Sequence, residues 1–128
     1  PAESAQGAEC VFRGTTRAEV HPDHGPLLAL EYEAHESMAR SLLGALAREI
    51  DDEFEVSSIR IVHAIGRVPV GEDSVLVEVR SAHRDDAFRA CRAAIDRLKE
   101  RLPVFKVECW RNGRTRPEGT SPRTMIED

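Results

Sequence analysis

Residues 81–108, SAHRDDAFRACRAAIDRLKERLPVFKVE, carry the strongest periodic signal in the chain. Phe88, Cys91, Ile95, Leu98 and Leu102 recur at steps of three and four, which predicts an amphipathic helix. Pro103 has no N–H to continue it. Beyond the proline, VFKVECW sets Phe105, Val107 and Cys109 against Lys106 and Glu108, the alternation of a half-buried strand. A helix joined to a strand by one sharp turn brings Lys106 back toward the helix end that carries Lys99. At about 100° per residue Lys99 falls at the rim of the apolar stripe, beside Ile95, with Arg92 two turns earlier on the same side. A single rim lysine usually snorkels. Several held together lower one another's pKa and, with partial burial, supply a neutral amine near pH 7. At the other end of the helix His83 and Arg84 stand where free N–H groups and the helix dipole favour an anion. Two readings stay open there: an anion site, or a His83 cap with Arg84 paired to Asp86 or to a strand carboxylate.

Working outward, ECVFRGTT (9–16) and LLALEYEA (27–34) read as strands, separated by a loop, AEVHPDHGP. From His35 to Ile50 the residues Met38, Leu42, Leu43, Leu46 and Ile50 predict a first helix, ended by the acidic run DDE. VSSIRIVHAIG places Ile59, Ile61, His63 and Ile65 on one face, and SVLVEVRSA does the same for Val75, Val77 and Val79. These predict an antiparallel pair joined through VPVGED. The resulting order implies an α+β domain over residues 1–110, a mainly antiparallel sheet with two helices on one side. Residues 111–128 read as a polar tail that orders only against a partner.

With 128 residues and 41% hydrophobic content, one core is the natural outcome. A net charge of -5 argues against nucleic acid as partner, so any anion site must be local. No run is apolar enough to span a bilayer, and PAESAQGAEC lacks the features of a signal peptide, so the expectation is a cytoplasmic protein without a membrane partner. Cys10, Cys91 and Cys109 are odd in number and widely spaced, the pattern of reduced thiols, and Cys91 reads as a small hydrophobe. HPDH, with His21, Asp23 and His24, is a weak metal motif without a fourth ligand.

The series H-x-I-G-x-V-P-V-G-E, then SAHR, a helix ending in LK, and P-aromatic-K-x-E resembles the catalytic large subunit of molybdopterin synthase, the MoaE family. The likeness runs from about Gly7 to Glu108, and the G-x-x-R of Gly14 to Arg17 also fits. The resemblance implies an α/β-hammerhead-like fold. It also implies a sulfurtransferase role in molybdenum cofactor biosynthesis: two sulfurs are placed on cyclic pyranopterin monophosphate to form the molybdopterin dithiolene. Each sulfur arrives as a thiocarboxylate on the C-terminal Gly-Gly of a small ubiquitin-like carrier subunit. Lys99 and Lys106 match the family's catalytic lysines, and Arg17, His83 and Arg84 match its substrate-binding residues. Arg114 and Arg116 are the candidates for an inter-subunit arginine. A homodimer flanked by two carriers is implied, with no metal and no cofactor. The family usually has arginine at Ala64 and tryptophan at Phe105, and Pro1 falls inside its usual N-terminal region, which implies that a first strand is missing. The alternative is a non-catalytic domain of the same fold that holds a ubiquitin-like tail or a small anion.

Overall fold

The computed structural model describes residues 6–116. In chain order the elements are β1 (Ala8–Thr15), β2 (Val20–His21), β3 (Gly25–Ala34), α1 (Glu36–Glu53), β4 (Ser58–His63), β5 (Gly66–Pro69), β6 (Asp73–Ser81), α2 (Arg84–Arg101), β7 (Val104–Trp110) and β8 (Gly113–Thr115). The strands form two antiparallel sheets. The first has the order β1-β6-β4, and the second runs β2-β3-β7-β8 with β5 on the free side of β3. The predicted α+β class and the two helices on one side are observed, but the strands divide between two sheets.

The first sheet buries one face. Val77 and Val79 of β6 are fully buried, flanked by Cys10 and Phe12 of β1 and by Ile59 and Ile61 of β4. The predicted pairing holds in register, Ile59 opposite Val79 and Ile61 opposite Val77. Both helices cover this face. α2 does so with Ala87, Ala90, Cys91, Ala94 and Leu98, all buried. Its buried stripe is therefore rotated toward the alanines, and Phe88 is left 63% exposed. Small side chains let the helix axis approach the strands more closely than a phenylalanine would, so packing overrides the larger residue. In α1 the buried residues are Ala39, Leu46 and Ile50, while Met38 is exposed.

α1 begins where His35 Nδ1 accepts from the Met38 N–H at 3.3 Å, a side-chain cap. It runs three residues past Ile50, through the DDE segment read as its terminator. The cause lies in α2: Arg97 donates from both terminal nitrogens to Glu53 at 2.6 and 3.0 Å. Arg97 and Arg101 both reach Glu49 as well. The hydrogen bond from Arg97 holds the Glu53 carboxyl below its ordinary range, and the one from Arg101 does the same for Glu49.

The two sheets are joined where β4 leads into β5. The segment read as one connection contains β5, which leaves β4's sheet and pairs with β3, Val68 opposite Leu30. Gly66 makes the change of sheet with φ of 97°, a conformation that side chains disfavour. The loop between β1 and β3 contains the short strand β2, paired to Pro26 and Gly25. The reading of residues 111–128 as tail is corrected at Gly113–Thr115. This strand pairs with β7 because Trp110 Nε1 donates to Thr115 Oγ1 at 2.7 Å, holding the hairpin closed. Residues 117–128 of that tail lie outside the described residues. Among the described residues no helix is long and apolar enough to cross a membrane.

A Cβ at Gly66 would meet no atom within 4 Å, so Gly66→Ala adds backbone strain without a clash. The variant should lose about 1–3 kcal/mol of stability, read as a lower urea midpoint with an unchanged slope. An unchanged midpoint would show that the sheet change does not depend on glycine.

Candidate functional site

Between the two sheets, under the C-terminal end of α2, lies a cleft of about 910 Å³. Each wall follows from the alternation of its element. β7 contributes Lys106 and Glu108, two apart and therefore on one face, and β3 contributes Tyr32 and Leu30 directly opposite them. The end of the first sheet adds Phe12, Val75 and His63. α2 overhangs with Ile95, Lys99 and Leu102, the flank of the helix beside its buried stripe. The placement of Lys99 beside Ile95, and the return of Lys106 toward it after Pro103, are both observed. Lys99 is exposed and Lys106 half-buried.

Arg17 supplies the third cation. Thr16 is buried and pinned, its N–H donating to Glu72 O at 3.0 Å and its carbonyl accepting from Gly71 N–H at 2.9 Å. That anchor carries the next residue, Arg17, to the cleft, where it pairs with Glu19 at 3.1 Å. The sequence assigned this third charge near Lys99 to Arg92. Arg92 pairs instead with Asp96 at 3.7 Å on the solvent side of the helix and does not line the cleft.

His83 and Arg84 do not meet Lys99 within one chain. His83 is the N-cap of α2 but its ring makes no capping bond, and the proposed Arg84–Asp86 pair does not form. Both side chains are exposed and without a hydrogen bond or ion pair among the described residues. Lys99 stands fifteen positions on from Arg84, about 22 Å along the axis at a rise of 1.5 Å. Arg114 and Arg116 lie on the reverse face of the second sheet. There Arg114 donates to Glu31 at 3.0 Å and Arg116 to Glu33 at 3.3 Å, with the Arg116 guanidinium over the Phe105 ring.

Three cleft residues, Tyr32, His63 and Glu108, were not singled out as site candidates from the sequence. Tyr32 is buried, and His63 packs against it edge to face at 4.9 Å. His63 had been read only as a core-facing strand position. Glu108 accepts from Thr115 Oγ1 at 2.8 Å, the end of a chain of hydrogen bonds that starts at Trp110. His21 and His24 stack on each other at 4.5 Å, and among the described residues no group of three possible ligands could hold a metal ion.

Burial pushes the Cys91 thiol up to about 12, which fits a packed hydrophobe and not a nucleophile. Burial also holds His63 below the ordinary 6.5 of histidine, against a smaller opposing effect of its bond to Ala64.

This small α+β domain brings Arg17, Lys99 and Lys106 into one cleft of an otherwise acidic chain, beside Glu19, Glu100 and Glu108. Residues 2–101 match the family described as MoaE protein. The molybdopterin synthase catalytic subunit of Nostoc sp. is 42% identical over 112 residues, 87% of this chain and 67% of that protein. The subunit of the same name from Thermoplasma volcanium is 40% identical over 107 residues, 84% of this chain and 77% of that one. The crystal structure of molybdopterin synthase from Staphylococcus aureus superimposes with a TM-score of 0.80 at 38% identity, covering 87% of this chain and 80% of that one. The chain belongs to the MoaE family.

Because the folded-state pKa of His63 is depressed, its contribution to stability is complete above pH 6.5 and is lost as pH falls through the folded value. The urea midpoint of the wild type should therefore fall between pH 7.5 and about 5 more steeply than that of His63→Gln. Parallel curves would show that His63 titrates alike folded and unfolded.

Proposed function

We propose that this chain is the catalytic subunit of a molybdopterin synthase. It moves sulfur from the C-terminal thiocarboxylate of a small ubiquitin-like carrier to cyclic pyranopterin monophosphate and so builds the dithiolene. The observation that carries this reading is the convergence of Lys99, Lys106 and Arg17 on one large cleft. A thiocarboxylate and a phosphate monoester are both anions, and fixed cations favour both. Lys99, at the open rim, is placed to meet the carrier's tail as it enters. Lys106, deeper and braced against Tyr32, is placed to hold charge on the acyl group as the sulfur changes hands. Arg17 is placed for the phosphate. No cysteine nucleophile is called for, because the sulfur is imported. The cytoplasm is the compartment that fits three free thiols.

The separation of His83 and Arg84 from Lys99 favours a homodimer in which a second copy's His83 and Arg84 complete the cleft. With a carrier at each cleft, the assembly has two copies of each subunit.

The test of the reading is dithiolene formation in a single turnover with saturating thiocarboxylated carrier. Lys99→Ala should lose on the order of a hundredfold or more in rate while melting within about 1 kcal/mol of the wild type. Lys99→Arg should not restore the rate if the amine exchanges a proton or acyl group, because guanidinium stays protonated. Near-normal turnover by Lys99→Ala would remove Lys99 from the chemistry.

A mixed dimer tests the shared cleft. Lys99→Ala and Arg84→Ala homodimers should each be impaired, and co-expression should restore up to about a quarter of wild-type activity, since one cleft of each mixed dimer keeps both residues. Activity no greater than the average of the two variants would place both residues in the same chain's site.

A further inference from the structure

Sulfur transfer as read above gives His63 of the cleft no task. His63 closes β4 at the junction of the two sheets and lines the cleft. Its Nδ1 is 2.7 Å from the carbonyl oxygen of Ala64, an atom that only accepts, so Nδ1 carries the hydrogen and Nε2 keeps its lone pair. Nε2 makes no hydrogen bond among the described residues. No buried side-chain nitrogen there lacks a partner, so Nε2 is reached by solvent. The edge-on contact with buried Tyr32 fixes the ring, and Tyr32 in turn stands opposite Lys106. A fixed imidazole with a free lone pair therefore faces water in the cleft that holds both lysines.

The inference rests on the sulfur-transfer reading. When a thiocarboxylate attacks through sulfur, its acyl carbon stays attached, and carrier and pterin are joined by a thioester. Water must then break that bond before the carrier can leave. We propose that His63 Nε2 is the general base for this hydrolysis. Nε2 takes a proton from water as the water oxygen bonds to the acyl carbon. The acyl carbon–sulfur bond breaks, sulfur stays on the pterin as thiolate, and the carrier departs as a carboxylic acid that gives water's second proton to solvent to become a carboxylate. The imidazolium returns its proton to solvent, and no oxidant or reductant is consumed.

The other charged or titratable groups facing this cleft are Arg17 and Glu19 before β2, Tyr32 of β3, Lys99 and Glu100 of α2, and Lys106 and Glu108 of β7. Glu19 is paired with Arg17, Glu108 accepts from Thr115 and Glu100 is an exposed carboxylate, so among these groups His63 is the neutral imidazole base with a free lone pair. Burial supports this by favouring the uncharged ring at neutral pH.

Rapid-quench mass spectrometry with thiocarboxylated carrier and cyclic pyranopterin monophosphate tests the assignment. In His63→Gln the carrier–pterin thioester should form within about threefold of the wild-type rate and decay on the order of a hundredfold more slowly, so that it accumulates. Added imidazole should speed its decay in His63→Ala. In the wild type, thioester decay should slow as pH falls through the His63 midpoint measured by NMR, a test that needs no variant. Thioester decay at the wild-type rate in His63→Gln, a decay rate independent of pH across that midpoint, or loss of thioester formation itself would each overturn the assignment. A wild type that forms neither thioester nor dithiolene would remove the sulfur-transfer reading and this inference with it; normal wild-type turnover with normal His63→Gln decay would remove this inference alone.

Discussion

The seating of α2 on the first sheet is the contact on which the site depends. Ala87, Ala90, Cys91 and Ala94 present almost no side-chain bulk, so the helix lies close over Val77 and Val79, and all of these residues are buried. That close approach fixes the rotation of the helix. With the alanines turned down onto the sheet, Ile95 and Lys99 hang over the gap between the two sheets. Arg97 and Arg101 turn to the other flank and hold α1 through Glu49 and Glu53. A helix rotated to bury Phe88 would carry Lys99 out of the cleft.

The gap exists because the chain changes sheets at Gly66. β4 belongs to one sheet and β5 to the other, so the turn between them sets His63 at the end of the first and against Tyr32 of the second. The antiparallel pairing of β3 with β7 then faces Lys106 and Glu108 into the gap. The same alternation sends Glu31 and Glu33 to the reverse face, where Arg114 and Arg116 neutralise them. An acidic chain thus brings two lysines and an arginine to one cleft without a basic surface, and a small anionic substrate and a single anionic tail need no more than that.

Much of this was legible in the sequence. The antiparallel pairing of β4 with β6 followed from the alternation of Ile59 and Ile61 and of Val77 and Val79. That Lys99 and Lys106 line one cleft followed from the turn at Pro103. What the sequence hid were effects of long-range packing. The apolar count pointed to Phe88, but close contact favoured alanine. The DDE run looked like a terminator because the partner of Glu53, Arg97, lies more than forty residues away. A single sheet was the simplest arrangement of the five strands read from the sequence, and one glycine with positive φ divides it. His63 had the spacing of a core residue, and only the change of sheet exposes its Nε2 to the cleft. The distance from His83 and Arg84 to Lys99 could have been read from helix length alone, and it is the feature that favours a dimer.

A crystal structure with the carrier's C-terminal Gly-Gly tail bound tests the central claim most directly. The account predicts the terminal carboxylate in the cleft within about 3 Å of Lys99 Nζ, with the phosphate of a bound pterin on Arg17. A tail seated on another face, or a terminal carboxylate in the cleft that contacts neither Lys99 nor Lys106, would contradict it.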